Sequence, residues 1–233
     1  MHQDEQLKAA KALKQDGGLS EIKFHALDIT DGKSLETFVE DLKKTHANGI
    51  DFVINNAGIA LNGFDSNVVS QTLNCNYYST LAASHAFLPL LRPAGRLVNV
   101  ASTTGLLDKY SPAIRARFLA SKTEADVTSI MQDFASAVAA GREKEAGFPS
   151  AAYATSKAGL IGATRALARE ESGKSQVLVN SCCPGYVNTD MTKGRGTRTP
   201  DEGAQTPVML ALADLKGVSG EFWRDGRVID WSG

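Results

Sequence analysis

Two spacings of apolar residues alternate along the chain. Short apolar runs bounded by Gly, Asn and Pro read as strands, and apolar positions recurring every three to four residues read as helices. The strands are expected at Ile22–Leu27, Asp51–Ile54, Arg96–Val100, Val177–Asn180 and Glu221–Trp223. One helix is expected over Gln6–Gln15, stopped by Gly17-Gly18, and a second from near Asp31 with Leu35, Phe38, Val39 and Leu42 on one face. Three more are expected over Val69–Leu91 (ended by Pro93 and Gly95), Ala154–Glu171 and Asp201–Leu212. Helices alternating with strands predict an α/β fold with a mostly parallel sheet and right-handed crossovers. The strand cores are apolar throughout, as a sheet covered on both faces requires. Ligands of such sheets bind beyond the carboxyl ends of the strands, where Asp28, Asn55, Ser102 and the residues after Asn180 fall.

One of those helices carries candidate chemistry. Tyr153 and Lys157 are four residues apart and share a helix face. An ammonium beside a phenol favours the ionised form and lowers its pKa, which makes Tyr153 a candidate general acid. Composition narrows the setting. The 233 residues, 42% hydrophobic and 22% charged, suit one soluble domain spanning 1–233. A net charge of -1 offers no footprint for nucleic acid or an anionic membrane, and no apolar run is long enough to span a bilayer. Cys75, Cys182 and Cys183 make neither a disulfide framework nor a C-x-x-C site. With no secretory signal in the sequence, a reducing cytoplasmic setting is expected. The four histidines, His2, His25, His46 and His85, are scattered, and no metal-ligand spacing occurs.

Several motifs stand in one order: Leu27-Asp28-Ile29, Asn55-Asn56-Ala57-Gly58, Asn76 before two tyrosines, Val98-Asn99-Val100-Ala101-Ser102, Tyr153-x-x-x-Lys157 and Pro184-Gly185-Tyr186-Val187-x-Thr189. Together they resemble the short-chain dehydrogenase/reductase family. The run Cys182-Cys183-Pro184-Gly185-Tyr186-Val187 and Glu145–Ser150 before Tyr153 bring the chain nearest its NADPH-dependent carbonyl reductases. The resemblance implies a Rossmann-like three-layer sandwich, NADP(H) as cofactor and a small ketone or aldehyde as substrate. A secondary-alcohol dehydrogenase is the alternative reading. Ser102 would hold the carbonyl oxygen, Tyr153 would protonate it, Lys157 would bind the nicotinamide ribose, and Asn76 would hold a water of the proton relay. Asp28 and Ile29 would meet the adenine, although an Asx turn explains Asp28 as well. Asn55, Ala57 and Gly58 would line the cofactor, one asparagine also steadying the sheet. Pro184, Val187 and Thr189 would contact the carboxamide, and Tyr186 the substrate. Cys183 matches a cysteine near the active site, but a buried small hydrophobe explains it equally well.

Two departures from a plain family member are visible. Fifty residues, 103–152, separate Ser102 from Tyr153. They are expected to contain a helix opened by a capping box Ser121-Lys122-Thr123-Glu124, with Val127, Ile130 or Met131, Phe134 and Val138 on one face. By resemblance this insertion covers the usual assembly surface and predicts a monomer, with Leu106, Leu107 and Tyr110 bordering the substrate opening. The second departure is that no Thr-Gly-x-x-x-Gly-x-Gly turn occurs in the sequence. The match begins in the helix after the family's second strand, so a chain truncated at its N-terminus is expected, lacking two strands and the pyrophosphate cradle. This 233-residue form is accordingly expected to bind NADPH weakly, to show negligible activity and to anchor its first strand poorly.

Overall fold

The computed structural model describes residues 22–233; the helix expected over Gln6–Gln15 lies outside them. The elements run α1 (Gly32–Thr45), β1 (Ile50–Asn55), α2 (Ser66–Leu73), α3 (Thr80–Phe87), β2 (Leu91–Val100), α4 (Pro112–Ala120), α5 (Glu124–Ala139), α6 (Ala152–Glu171), β3 (Leu178–Cys183), α7 (Pro200–Leu212), β4 (Phe222–Arg224) and β5 (Arg227–Val228). The strands order as β1-β2-β3-β4-β5. β1 to β4 are parallel, and β5 returns antiparallel as the second arm of a hairpin. Helices cover the sheet as a three-layer α/β sandwich: β2 and β3 contact α6, and from α7 they receive Leu210 and Met209.

Local chemistry fixes most boundaries. Asp31 caps α1 by accepting from Lys33 N at 2.9 Å, and Asp65 caps α2 through Val68 N at 2.8 Å. The expected helix over Val69–Leu91 is broken into α2, a π-turn at Asn74–Ser79, α3 and a 3-10 turn at Leu88–Leu90. β2 already begins at Leu91, bulging out through Pro93–Gly95 before its register with β1 is restored at Phe52 and Arg96.

Three expectations are corrected. Residues 22–28 form no strand, because β1 ends the sheet and no described strand lies beside it. Leu27 and Ile29 instead pack against the cluster of Leu35, Ala83 and Phe87. The capping box of α5 belongs to Thr123 and Asp126, whose carboxylate accepts from Lys122 N and Thr123 N at 2.9 Å each. Ser121 ends α4 instead, its hydroxyl bonded to Arg117 O at 2.9 Å. Leu107 and Tyr110 do not border an opening: they sit in the main core with Phe118, Phe134 and Phe148.

The insertion joins that core along α6. Glycines on α6 allow close approach, since a Cβ at Gly159 would come within 2.5 Å of Met131 Sδ, and one at Gly162 within 3.3 Å of Val127. Val127, Ile130, Met131 and Phe134 of α5 are buried against this surface. At the other end of the molecule, Phe52 and Ile54 on β1 remain 46% and 38% exposed.

Candidate active site

The strands deliver their carboxyl ends to one crevice. Polar side chains hold them in register: the half-buried Asn55 Nδ2 donates to buried Asn99 Oδ1 at 2.9 Å and Ser84 Oγ at 3.0 Å. Asn99 Nδ2 in turn reaches Thr164 Oγ1 on α6 at 3.0 Å. Asn55 is therefore a brace of the sheet, its amide committed to its neighbours. Asn180 does the same work at β4, accepting from Glu221 N and from Trp223 Nε1.

Lys157 is 4% exposed and donates to Val100 O at 2.8 Å. Its Nζ lies 5.7 Å from the centre of the Tyr153 ring. Burial pushes its pKa down from 10.5 to about 8, with the thiols of Cys75, Cys182 and Cys183 pulling the other way. Tyr153 was expected to have a lowered pKa; burial, then Cys183, raise it, and only the hydrogen bond with Ser102 opposes them. The lysine has its charge partly spent on a backbone carbonyl, so Tyr153 at neutral pH is a phenol that keeps its proton. Ser102 stands at the end of β2 and caps the turn Thr103–Gly105, its Oγ accepting from Thr104 N at 3.2 Å and Thr104 Oγ1 at 3.1 Å. It is thus both a cap and the partner of Tyr153.

Asn76 lies fully buried in the π-turn, a local widening common at functional sites. Its Oδ1 accepts from Ile59 N at 2.8 Å, and its Nδ2 donates to Ile59 O at 2.8 Å and to Ser156 Oγ at 3.1 Å. Ser156 Oγ donates to Tyr153 O at 2.8 Å, tying the turn after Gly58 to the helix that carries Tyr153 and Lys157. Sequence reasoning missed Ser156, although its place inside Tyr-x-x-Ser-Lys was a usable signal. A Cβ on Gly58 would sit 3.5 Å from Lys157 Nζ, so the loop passes directly over the ammonium. Asn76, Gly58, Lys157, Tyr153 and Ser102 are brought together.

The remaining candidates ring this centre. Gly185 has φ +86, making Pro184–Gly185 the turn that leaves β3. Gly185 N donates to Cys183 Sγ at 3.4 Å, and Cys183 itself is buried in the main core, so its packing role is met. Tyr186, the next residue along, is 49% exposed. Thr189 starts a 3-10 turn whose hydroxyl partner is Thr192; Val187 lies between, bridged to Arg198. Asp28 and Ile29 stand apart from this centre. Asp28 Oδ1 accepts from Thr30 N at 2.8 Å and Thr30 Oγ1 at 2.7 Å, an Asx turn whose hydrogen bonds lower its pKa. Ile29, Phe38, Phe52, Asn55, Asn56 and Ala57 line a cavity of about 380 Å³ over β1, which puts Ile29 on the same crevice as Ala57. Among the described residues no group of His, Cys, Asp and Glu could hold a metal ion.

A parallel α/β sheet with a serine, a tyrosine and a lysine converging at its carboxyl edge defines a protein that can stabilise and protonate an oxyanion. The family model for short chain dehydrogenases matches residues 1–140 and 137–199. The chain is 36% identical to carbonyl reductase (NADPH) 1 of Bos taurus, over 96% of this chain and 84% of the relative. It is 38% identical to carbonyl reductase (NADPH) 1 of Oryctolagus cuniculus, over 98% and 87%. Salutaridine reductase from Papaver somniferum superposes with a TM-score of 0.82 at 28% identity, covering 93% of this chain and 86% of that one. The chain belongs to the short chain dehydrogenase family.

Proposed function

We propose that this protein reduces small ketones or aldehydes to alcohols with NADPH, and the observation that carries this is the convergence of Tyr153, Ser102 and Lys157 at the end of β2. The nicotinamide end of the cofactor suits the residues present. One N–H of Lys157 goes to Val100 O, and the ammonium has further donors for ribose hydroxyls. Gly58 and the Pro184–Thr189 turn supply close backbone. NADPH, when bound, supplies a hydride to the carbonyl carbon.

The chain's own residues handle the oxygen. Negative charge grows there as the carbonyl is reduced, and donors aimed at it favour the transition state. Ser102 donates to the oxygen, and Tyr153 then gives its phenolic proton, leaving the alcohol. Lys157 steadies the tyrosinate until it is reprotonated through the Asn76 side. Tyr186 presents its ring to the substrate body, while Asp28 and Ile29 receive the adenine.

The chain works as one catalytic unit, 1–233, with 103–152 inserted. α5 covers α6 through Met131 and Phe134, which supports a monomer. Three free, buried cysteines and the lack of any helix among the described residues long and apolar enough to cross a membrane fit a reducing cytoplasmic setting. Tyr153→Phe tests the central reading. At millimolar NADPH it is expected to lower ketone reduction by at least about 100-fold while leaving melting and cofactor affinity unchanged. Equal turnover by the two proteins would overturn the assignment.

A further inference from the structure

Residues 186–198 leave the sheet after Gly185 and return beside it. Tyr186 O accepts from Thr197 N at 2.8 Å and Arg198 N at 3.0 Å, and Asn188 N donates to Arg198 O at 2.8 Å. This closes a flap whose tip carries exposed Met191 and Lys193. Small residues are required at its neck: a Cβ on Gly196 would fall 2.1 Å from Asn188 N. One side chain joins the flap to everything around it. A Cβ on Gly185 would meet Arg198 Cδ, Nε and Cζ at 2.6, 2.7 and 2.8 Å, so the guanidinium stem lies flat across the turn. Arg198 Nη1 donates to Asp225 Oδ1 at 2.6 Å.

Asp225 occupies the turn of the β4–β5 hairpin with φ 52, where Arg224 Nε is its second cation at 3.3 Å. The next residue donates from Gly226 N to Thr206 Oγ1 on α7 at 3.3 Å. Turn, flap and hairpin therefore meet at one guanidinium, and the hairpin is tied in turn to α7. A surface ion pair alone is worth little. This one is charge-assisted and also fills the space that Gly185 leaves beside the crevice.

We propose that Arg198 is a positioning residue: held by Asp225, it fixes the Pro184–Gly185 turn and the flap in the shape that receives the nicotinamide carboxamide. The role rests on the reductase reading, but the shape of the flap is tested without it. Trypsin reports the flap directly, because Lys193 and Arg195 lie on it, exposed. Asp225→Asn keeps the residue's volume and removes the charge. Cleavage after Lys193 and Arg195 in the cofactor-free protein is expected to run about fivefold faster, the effect of roughly one kcal/mol of local opening. Arg198→Lys keeps the charge without the flat fork, and its cleavage rate is expected between those of wild type and Arg198→Ala.

With NADPH titrated to millimolar concentration, Asp225→Asn and Arg198→Ala are expected to raise the KM for NADPH about fivefold while kcat changes less than about twofold. A merely structural pair would shift melting and leave that split flat. Wild-type cleavage rates in Asp225→Asn and Arg198→Lys would overturn the proposal, and so would a loosened flap with unchanged NADPH affinity. A failure of the reductase reading is seen separately, in Tyr153→Phe.

Discussion

The two halves of the crevice are built differently. The half that would hold the nicotinamide is enclosed: Lys157 and Asn76 are buried, both side-chain polar atoms of Asn76 are hydrogen-bonded, and α6 backs the site against the aromatic core of the insertion. The half that would hold the adenine lies on β1, the last described strand of the sheet, where Phe52 and Ile54 face solvent and Asp28 closes an exposed turn. The chemistry needs groups fixed to within fractions of an ångström, and burial with satisfied hydrogen bonds supplies that. Binding of an extended cofactor draws on many small contacts, and here they are spread along an open edge. The contrast places rigidity, and so sensitivity to mutation, on one side of the molecule.

The largest effect should come from the enclosed half. Phe134 is fully buried, with Phe148 5.3 Å away and Phe64 6.4 Å away between ring centres. Phe134→Ala leaves a cavity between α5 and α6 and should cost about 3–5 kcal/mol by denaturant unfolding. A loss below about one kcal/mol would mean that the insertion is a surface appendage rather than part of the core.

Lys157 comes next. Lys157→Met should lower turnover about 100-fold and weaken NADPH as well. It also has a signature in stability. Burial holds the folded pKa near 8 against 10.5 for an ordinary lysine. Across that window the unfolded chain keeps a proton that the folded chain has released, so this residue makes stability rise with pH from about 8 and level off near 10.5. The buried thiols of Cys75 and Cys182 have raised pKa values and act with the opposite sign, stability falling as pH climbs past the unfolded thiol range. Burial dominates in both thiols and Lys157 pulls against it, so Lys157→Met should remove the rise with pH and leave the fall, slightly enlarged. Parallel scans would show that the ammonium is solvated in solution.

The same contrast explains what the sequence disclosed. Elements whose period and caps are self-contained were legible: α1 with Asp31 and its apolar face, the core of β2 at Arg96–Val100, and the helix that carries Tyr153 and Lys157 four residues apart. Ile22–Leu27 has a strand-like composition, but a strand is made by a partner, and among the described residues none lies beside β1 on that edge. The capping box of α5 was shifted by two residues because Ser121 and Thr123 offer equivalent patterns; only the end of α4 at Ala120 decides between them. Leu107 and Tyr110 looked like mouth residues because they follow Ser102 closely, yet the short 3-10 turns there fold them inward. Asn99, Ser156, Arg198 and Asp225 carry their roles through contacts across 27 or more positions, and no local spacing announces such pairs.

The smallest effect should come from the open half, and it tests the contrast most directly. Phe52 is 46% exposed on an end strand, so replacing it removes little area that folding had taken from water. Threonine is β-branched and suits an extended strand, while its hydroxyl reduces the apolar patch formed with Ile54. Phe52→Thr should therefore change unfolding free energy by no more than about 0.5 kcal/mol and should raise the concentration at which the protein stays soluble. A loss above about 1.5 kcal/mol would be the size expected of a buried side chain. The outer edge of β1 would then be covered in solution, and the two halves of the crevice would be alike in build.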